Sequence, residues 1–216
     1  LEMGKTWYSP NRGFAELREE ICKCFDRHYH VQYDPKTEVL VTVGGSEALD
    51  LAVRCLVEPG EEVLIPQPSF VCYEPMTQMV GAVPVIIETK EKDGFRLTPE
   101  ELRAAITPKT KLLVLPFPNN PTGAVMRKKD LEAIAEVVRG TNVIVLSDEI
   151  YSELTYGDQE HITFSSLPDM RERTIVVNGF SKAFAMTGWR LGYAMGPKEL
   201  IAQMTKLHQY AIMSAP

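Results

Sequence analysis

Apolar residues along the chain follow two spacings, which predict alternating strands and helices. Short β-branched runs typical of buried strands lie at 39–43, 62–65, 83–87, 111–115, 143–146, 174–177 and 191–195. Apolar residues at helical spacing lie between them and predict helices over 12–29, 48–56, 69–80, 98–106, 131–138 and 200–211. This alternation predicts an α/β fold, a doubly wound and mostly parallel sheet with helices on both faces.

Turn and capping residues refine this pattern. Residues 98–101 read Thr-Pro-Glu-Glu, which has the spacing of a capping box with proline at the first helical position. Residues 66–68 read Pro-Gln-Pro and predict a stiff connector outside the sheet, because proline has no N–H to donate. Residues 157–172 are mostly polar and predict irregular structure. Neither an internal repeat nor a linker interrupts the pattern, so we expect one domain.

Composition narrows the class of protein. The 216 residues are 44% hydrophobic and 24% charged, as in a globular domain with one large core. The net charge is −6 with both signs interspersed, so we expect no nucleic-acid partner. We also expect no membrane segment, because no apolar run is long enough to span a bilayer. The cysteines form no metal-binding or disulfide pattern with the histidines, so we expect reduced thiols, a cytoplasmic location and no metal.

Glycine-rich or polar loops follow four of the predicted strands. They lie at 44–46, 116–123, 147–151 and 179–190. The carboxyl ends of parallel strands meet at one edge of an open α/β sheet, and ligands bind there. The sequence therefore predicts one site built from all four loops.

Lys182 and Arg190 suggest the chemistry of that site. Lys182 follows a predicted strand and lies among small residues and phenylalanines, so we expect partial burial. Burial lowers the pKa of an amine and makes it a better nucleophile towards carbonyls. Arg190, eight residues on, has a planar cation that suits phosphate. An amine that forms Schiff bases beside a phosphate clamp is what pyridoxal 5'-phosphate (PLP) requires. The alternative is a surface lysine with a structural arginine.

Two further motifs each allow two interpretations. Gly44-Gly45-Ser46 lies between a strand and a helix, where free N–H groups and the helix dipole form an anion site. The same residues also suit a tight turn in which Ser46 is the N-cap. Asp148 follows a strand, where it is able to hold a protonated ring nitrogen or to cap a helix.

Four motifs in order resemble those of the class I/II aminotransferases, which are fold-type I PLP enzymes. They are Gly-Gly-Ser-Glu-Ala-Leu at 44–49, Asn-Pro-Thr-Gly at 120–123, Asp-x-x-Tyr at 148–151 and the lysine signature at 178–192. The first and last are most similar to the aspartate and aromatic aminotransferase branch, and the resemblance covers essentially the whole chain. It implies a PLP-transferase large domain with three αβα layers, and a ping-pong transfer of an amino group between an L-amino acid and a 2-oxo acid.

The resemblance also implies a domain division and a homodimer. Residues 1–11 would be an N-terminal remnant near the dimer interface, and residues 12–216 the large PLP-binding domain. A small C-terminal domain would be absent from this chain, and with it the arginine that binds the substrate carboxylate.

The resemblance assigns roles around the cofactor ring. It implies that Lys182 forms the Schiff base and then acts as general base, and that Asp148 binds the ring nitrogen. Tyr151 and Asn120 would bind the 3-oxygen, and the Asn120–Pro121 bond is a candidate cis peptide. Phe70 would stack on the ring. The alternatives are a simple turn at Asn120 and a core position for Phe70.

The phosphate contacts implied by the resemblance are Gly44, Gly45, Ser46, Ser181 and Arg190. Many relatives have serine where this chain has Gly179, so one hydroxyl contact is expected to be lost and replaced by a backbone N–H or water. Tyr8 matches a tyrosine that reaches the phosphate of the neighbouring subunit, although it is also consistent with a poorly ordered chain end.

Two other functions use similar motifs. One is a PLP-dependent C–S β-lyase of the same fold. The other is the aminotransferase-like sensor domain of a transcription regulator, because site signatures persist on proteins that are not enzymes.

Overall fold

The computed structural model describes residue 4 and residues 7–216, so residues 1–3, 5 and 6 of the predicted segment 1–11 lie outside the described residues. The strands are β1 (Val39–Val43), β2 (Glu62–Gln67), β3 (Val83–Glu88), β4 (Thr110–Leu115), β5 (Ile144–Asp148), β6 (Thr174–Gly179) and β7 (Leu191–Met195). The α-helices are α1 (Ala15–Tyr29), α2 (Gly44–Leu56), α3 (Tyr73–Met79), α4 (Pro99–Ala105), α5 (Lys128–Arg139) and α6 (Lys198–Ala211). Within the described ranges, no helix has both the length and the apolar character needed to cross a membrane.

The strands form one sheet in the order β1-β7-β6-β5-β4-β2-β3. All neighbours are parallel except β7, which runs antiparallel to both β1 and β6. The predicted α/β fold with a mostly parallel sheet is confirmed. Because β7 runs in the opposite direction, Arg190 just before it lies at the same edge of the sheet as the carboxyl ends of β5 and β6.

Alternate residues of the central strands face opposite helical layers. Leu112 and Val114 of β4 belong to a core cluster with α2, α3 and α6. Leu113 and Leu115 belong to a second cluster with α4 and α5. A third cluster joins α1 to β1, so helices cover both faces of the sheet and give three layers.

Two predicted boundaries are wrong, namely the start of the first helix and the end of the second strand. Helix α1 begins at Ala15, because Gly13 has a φ of +89° and ends a turn there. Strand β2 continues through Pro66, which pairs with Ile87 of β3, so residues 66 and 67 are not a connector outside the sheet. Pairing between β2 and β4 stops at Leu64, so Pro66 lies where one side of β2 no longer has a ladder and its missing N–H is tolerated.

The start of one further helix differs from prediction, whereas residues 157–172 and the capping box agree with it. Helix α3 begins at Tyr73 rather than at residue 69, which places Pro75 in its first turn, where a proline breaks no helical bond. Residues 157–172 contain no α-helix or strand, only a 3₁₀ turn at Phe164–Ser166 and the start of another at Arg171–Arg173, and they bury Phe164, Leu167 and Met170. At the start of α4 the predicted capping box over 98–101 is present in both directions.

Candidate active site

A cavity of about 280 Å³ lies at the edge of the sheet where the carboxyl ends of β5 and β6 meet. It is lined by Gly45, Ser46, Leu49, Phe70, Tyr73, Pro116, Pro118, Asn120, Asp148, Ile150, Tyr151, Ser181, Lys182, Thr187 and Arg190. Every residue that the sequence predicted for the site lines it, except Gly44 and Tyr8. The four predicted loops therefore converge on one place.

Asp148 is the last residue of β5 and is buried. The hydroxyl of Tyr73 donates a hydrogen bond to its Oδ2 at 2.7 Å, and the backbone N–H of Ile150 donates to its Oδ1 at 3.2 Å. Burial raises the pKa of Asp148 to about 6, and the two hydrogen bonds oppose that rise. Residues 150–153 form a turn and not a helix, so the interpretation of Asp148 as a helix N-cap is wrong.

Tyr73 is a site residue that the sequence reasoning missed. Its side chain is buried, and burial together with the nearby Asp148 raises the pKa of Tyr73 well above its ordinary value. The hydroxyl therefore keeps its proton and acts as a hydrogen-bond donor to Asp148. In the sequence, Tyr73 shows only the apolar spacing of a helix face, and its partner lies 75 positions away.

The first turn of α2 forms one end of the cavity. The helix begins at Gly44 and has no side-chain cap, so Ser46 lies inside the first turn and its predicted role as N-cap is wrong. Gly45 and Ser46 line the cavity. An uncapped first turn leaves backbone N–H groups free for an anion, which the positive end of the helix dipole favours.

Close contacts between glycines hold this turn against the sheet. A Cβ atom on Gly192 of β7 would lie 2.5 Å from both Gly44 C and Gly45 N. A Cβ atom on Gly179 of β6 would lie 2.8 Å from Gly192 Cα and 2.9 Å from the Leu191 carbonyl oxygen. In this chain, therefore, the backbone packs so closely around position 179 that no side chain, and hence no hydroxyl, has room there.

Arg190 lies beside the same turn. Its backbone has a φ of 52°, in the left-handed region, and its Nη1 donates to the carbonyl oxygen of Thr187 at 3.1 Å. The guanidinium lies against Gly44, since a Cβ atom on Gly44 would be 2.5 Å from Arg190 Nη2. Gly44 thus contributes backbone beneath the arginine rather than lining the cavity. The permanently charged guanidinium of Arg190 meets free backbone N–H groups here, an arrangement that suits a phosphate.

Lys182 is exposed, so the expectation of partial burial is wrong. After β6 the chain leaves the sheet, and the loop that follows lies at the open mouth of the cavity. Phe184 of that loop is 64% exposed, so it does not enclose the lysine as the sequence led us to expect. The Nζ of Lys182 still points over the ring of Tyr151, 5.6 Å from its centroid.

The opposite side of the cavity carries Asn120 and Phe70. The turn after β4 is held by Asn119, whose Oδ1 accepts from the backbone N–H and the hydroxyl of Thr122 at 3.2 and 2.8 Å. Asn120 is thus not the residue that makes the turn, and the Asn120–Pro121 bond is cis, as the motif suggested. Phe70 is 39% exposed and meets Tyr73 edge-on, so it is not the core residue of the alternative interpretation.

Tyr8 lies outside the cavity and is 77% exposed. The residues next to it are tied to the other end of the chain. Ser9 Oγ donates to the carbonyl oxygen of Ala215 at 2.6 Å, and Asn11 Nδ2 donates to that of Met213 at 2.7 Å. These bonds hold the segment that carries Tyr8 on the surface of the domain.

Together the lining residues offer a free amine, a buried carboxylate, an aromatic face and an anion site in one cavity. This set suits a flat ligand with a carbonyl, a protonated ring nitrogen and a phosphate. Within residue 4 and residues 7–216, no group of three His, Cys, Asp or Glu side chains is arranged to hold a metal ion.

Comparisons with known proteins identify the family of the chain. The family model for aminotransferase class I and II matches residues 3–216. The chain is 50% identical over 216 residues to the putative aminotransferase YugH of Bacillus subtilis, covering 100% of this chain and 56% of the relative. It is 46% identical over 210 residues to an aspartate aminotransferase of Pyrococcus abyssi, covering 97% and 54%. The solved structure of an aromatic aminotransferase from Pyrococcus horikoshii OT3 superposes with a TM-score of 0.96 at 45% identity, covering 99% and 57%. The chain spans about half the length of the curated relatives that it matches.

Proposed function

We propose an amino-transfer function for this chain, which belongs to the class I and II aminotransferases. That family is PLP-dependent. In our proposal residues 12–216 are the large domain, which holds PLP while an amino group passes between an L-amino acid and a 2-oxo acid. The observation that carries the proposal is the meeting of Lys182, Asp148 and the anion site beside Arg190 in one cavity.

The lining residues fit PLP part by part. Arg190 and the uncapped first turn of α2 suit the phosphate, and we assign Ser181, which also lines the cavity, to the same group. Gly192 lets the backbone of Gly44 and Gly45 lie close to the sheet there, since a Cβ atom would be 2.5 Å from both residues. Asp148 suits the ring nitrogen, because it is the buried carboxylate of the cavity. We assign Tyr151 and Asn120 to the 3-oxygen and Phe70 to the ring face.

When bound, PLP supplies an aldehyde and an electron-withdrawing ring. The Nζ of Lys182 is the nucleophile for a carbonyl carbon, and the same amine, when free, takes a proton from the substrate α-carbon and returns it at another carbon. Its exposed position leaves it accessible to an incoming ligand. No other lysine lines the cavity among the described residues, so we assign both tasks to Lys182.

Asp148 holds a proton on the ring nitrogen through its carboxylate. That task requires an ionised carboxylate, whereas burial favours the neutral acid and raises its pKa to about 6. The hydrogen bonds from Tyr73 and from the Ile150 N–H oppose that tendency. The dry surroundings that raise the pKa also strengthen the attraction between the carboxylate and a cationic ring nitrogen.

We further propose a cytoplasmic homodimer in which Tyr8 faces the site of the neighbouring subunit and segment 1–11 lies at the interface. The exposed Tyr8, carried on a segment held by Ser9 and Asn11, supports this arrangement. The four cysteines are free thiols, which fits a reducing compartment. We propose that another part of the full-length protein supplies the arginine for the substrate carboxylate.

The proposal is tested by supplying the PLP-loaded full-length protein with L-aspartate or L-phenylalanine, with and without a 2-oxo acid. Amino transfer predicts a new amino acid that forms only when the 2-oxo acid is present. A C–S β-lyase would instead release pyruvate and ammonia from L-cystathionine without any acceptor. That second result, with no transfer to a 2-oxo acid, would contradict the proposal. No observation on this chain favours the lyase or the regulator alternative.

A further inference from the structure

A buried hydrogen-bonded pair joins the last helix to the anion site. His208 of α6 is fully buried, and its Nδ1 lies 2.7 Å from Oε1 of Glu47. Glu47 lies in the first turn of α2, directly after the residues that line the phosphate end of the cavity. The two residues are 161 positions apart, so only the packing of α2 on α6 brings them together.

The second carboxylate oxygen of Glu47 is also occupied. It accepts a hydrogen bond from the backbone N–H of Val43, the residue just before α2. This bond turns the carboxylate back towards β1. The Glu47 carboxylate therefore occupies the N–H of Val43 and leaves the N–H groups of Gly45 and Ser46 to the cavity.

An acidic side chain at this position creates a problem for a phosphate site. The positive end of a helix attracts either a carboxylate or a phosphate, and the two compete for the same N–H groups and repel each other. A glutamate that moved freely in the first turn of α2 would therefore weaken phosphate binding. Glu47 avoids this only while its carboxylate is held on Val43 and His208.

The hydrogen bonds of the pair support a holding role. An ionised carboxylate only accepts, so Nδ1 of His208 donates to Oε1 of Glu47. The backbone N–H of Val43 donates to the other carboxylate oxygen. Both oxygens of Glu47 are therefore held, and the direction of the carboxylate matters for any anion nearby.

We propose that His208 and Glu47 are positioning residues for the phosphate end of the site. His208 holds the Glu47 carboxylate on Val43 and thereby reserves the first turn of α2 for the cofactor phosphate. This inference rests on the proposed function, because it takes the anion to be the phosphate of PLP.

The test compares PLP with pyridoxal, which has the same ring but no phosphate, by titrating the visible absorbance of the full-length protein. In His208→Leu the carboxylate is released, and we expect the Kd for PLP to rise about 3- to 30-fold, the range of a charge at a helix terminus. The Kd for pyridoxal should stay within about twofold of wild type, since pyridoxal has no phosphate for the carboxylate to repel.

Further variants distinguish a positioning role of His208 from a simple packing role. Glu47→Gln in the His208→Leu background removes the charge, so it should restore most of the PLP affinity although the histidine contact is still missing. His208→Gln keeps an N–H donor and should remain close to wild type. The matched control is His161→Leu, which breaks another histidine–glutamate pair, with Glu149 at 2.8 Å, that does not reach the first turn of α2. It should lower stability without changing the ratio of the two Kd values.

Several outcomes would overturn the inference. Equal losses of PLP and pyridoxal in His208→Leu, or no rescue by Glu47→Gln, would show that the pair has only a packing role. If His208→Leu does not fold, Glu47→Gln alone decides, because it should bind PLP at least as tightly as wild type, and a tenfold loss would contradict the inference. A wild-type protein that binds neither PLP nor inorganic phosphate would instead contradict the proposed function itself.

Discussion

Two walls of the cavity differ in how the fold holds their polar groups. The strand wall comprises Asp148, Ile150 and Tyr151 together with Tyr73, and the loop wall comprises Ser181, Lys182, Thr187 and Arg190. In the strand wall, Asp148 is buried and both of its oxygens accept hydrogen bonds. In the loop wall, Lys182 and Arg190 are exposed. The fold therefore holds the Asp148 carboxylate in place and leaves the Lys182 amine and the Arg190 guanidinium exposed to solvent.

This difference fits the role that we propose for each group. A buried carboxylate is tolerated only when its oxygens have hydrogen-bond partners, so Asp148 requires Tyr73 and the Ile150 N–H. An amine that must bond to an incoming ligand cannot be enclosed with permanent partners. In the proposed function, the strand wall sets the electrostatics of the site, and the loop wall supplies the amine together with the arginine that meets the first turn of α2.

The largest effect is expected in the loop wall from Lys182→Ala. It removes the only amine that lines the cavity among the described residues, so amino transfer should fall by on the order of 10⁴-fold or more. PLP should still bind through Asp148 and the phosphate end. Single-turnover assays with wild type and with Lys198→Ala, an exposed lysine away from the cavity, provide the comparison. Activity within tenfold of wild type would remove Lys182 from the proposed mechanism.

In the strand wall, Asp148→Asn should reduce amino transfer by roughly 10²- to 10³-fold, a loss comparable to that of other preorganised charge interactions. The amide has nearly the same shape but no charge to hold the proton on the ring nitrogen. Rapid-reaction measurements at pH 8 should show the loss in the proton-transfer step and a smaller change in substrate binding. A loss confined to KM would contradict this role.

The same substitution should stabilise the PLP-free protein. The pKa of Asp148 is about 6 in the fold, above its ordinary value of 3.8, so its contribution to stability is fully present below pH 3.8 and is lost as the pH rises through 6. Asparagine does not ionise. Urea unfolding should therefore show Asp148→Asn to be more stable than wild type by about 3 kcal/mol at pH 8, and by less as the pH falls below 6. A variant less stable than wild type at pH 8 would contradict the burial argument.

The glycine contact at the phosphate end gives a smaller expected effect. Gly192→Ala places a Cβ 2.5 Å from the backbone of Gly44 and Gly45, and overpacking of this kind costs about 1–3 kcal/mol. We expect PLP affinity to fall by about tenfold or more, because the first turn of α2 must move. Gly188→Ala in the same loop region is the control, since a Cβ there meets no atom within 4 Å. Equal effects of the two variants would contradict the proposed cradle.

The smallest effect is expected from Tyr73→Phe, which removes one hydrogen bond to Asp148 and leaves the ring in place. The pKa of Asp148 should rise further, so kcat/KM should fall about 3- to 10-fold near pH 6.5 and recover towards pH 8.5. Tyr210→Phe, at a position that is 79% exposed, is the control. A loss that does not depend on pH would mean that Tyr73 acts through packing alone.

Local patterns predicted most of the sheet. Strands β1 and β7 have the bounds that their β-branched or apolar runs indicated, because buried strands require such runs wherever they lie in the sheet. The capping box of α4 was also visible, since all of its atoms belong to four consecutive residues. The continuation of β2 through Pro66 was not predictable, because it depends on which neighbouring strand ends first.

The sequence predicted which residues form the site better than it predicted their burial and their hydrogen-bond partners. Strand ends and polar loops identified Asp148 and Lys182, because a parallel sheet gathers such loops at one edge. Tyr73 was missed since its partner is distant in sequence and its spacing is that of an ordinary core residue. The exposure of Lys182 was not predicted because the phenylalanines on either side were taken to cover it, whereas Phe184 is itself 64% exposed.

The most direct test of the central claim is to trap PLP on the loop wall. The full-length protein is incubated with PLP, reduced with borohydride and digested, and the peptide that carries the pyridoxyl mass is identified. We predict that the mass lies on Lys182, and that Asp148→Asn still gives the same labelled peptide. A folded full-length protein whose label lies on another lysine, or that takes no label, would contradict the assignment of this cavity as the PLP site.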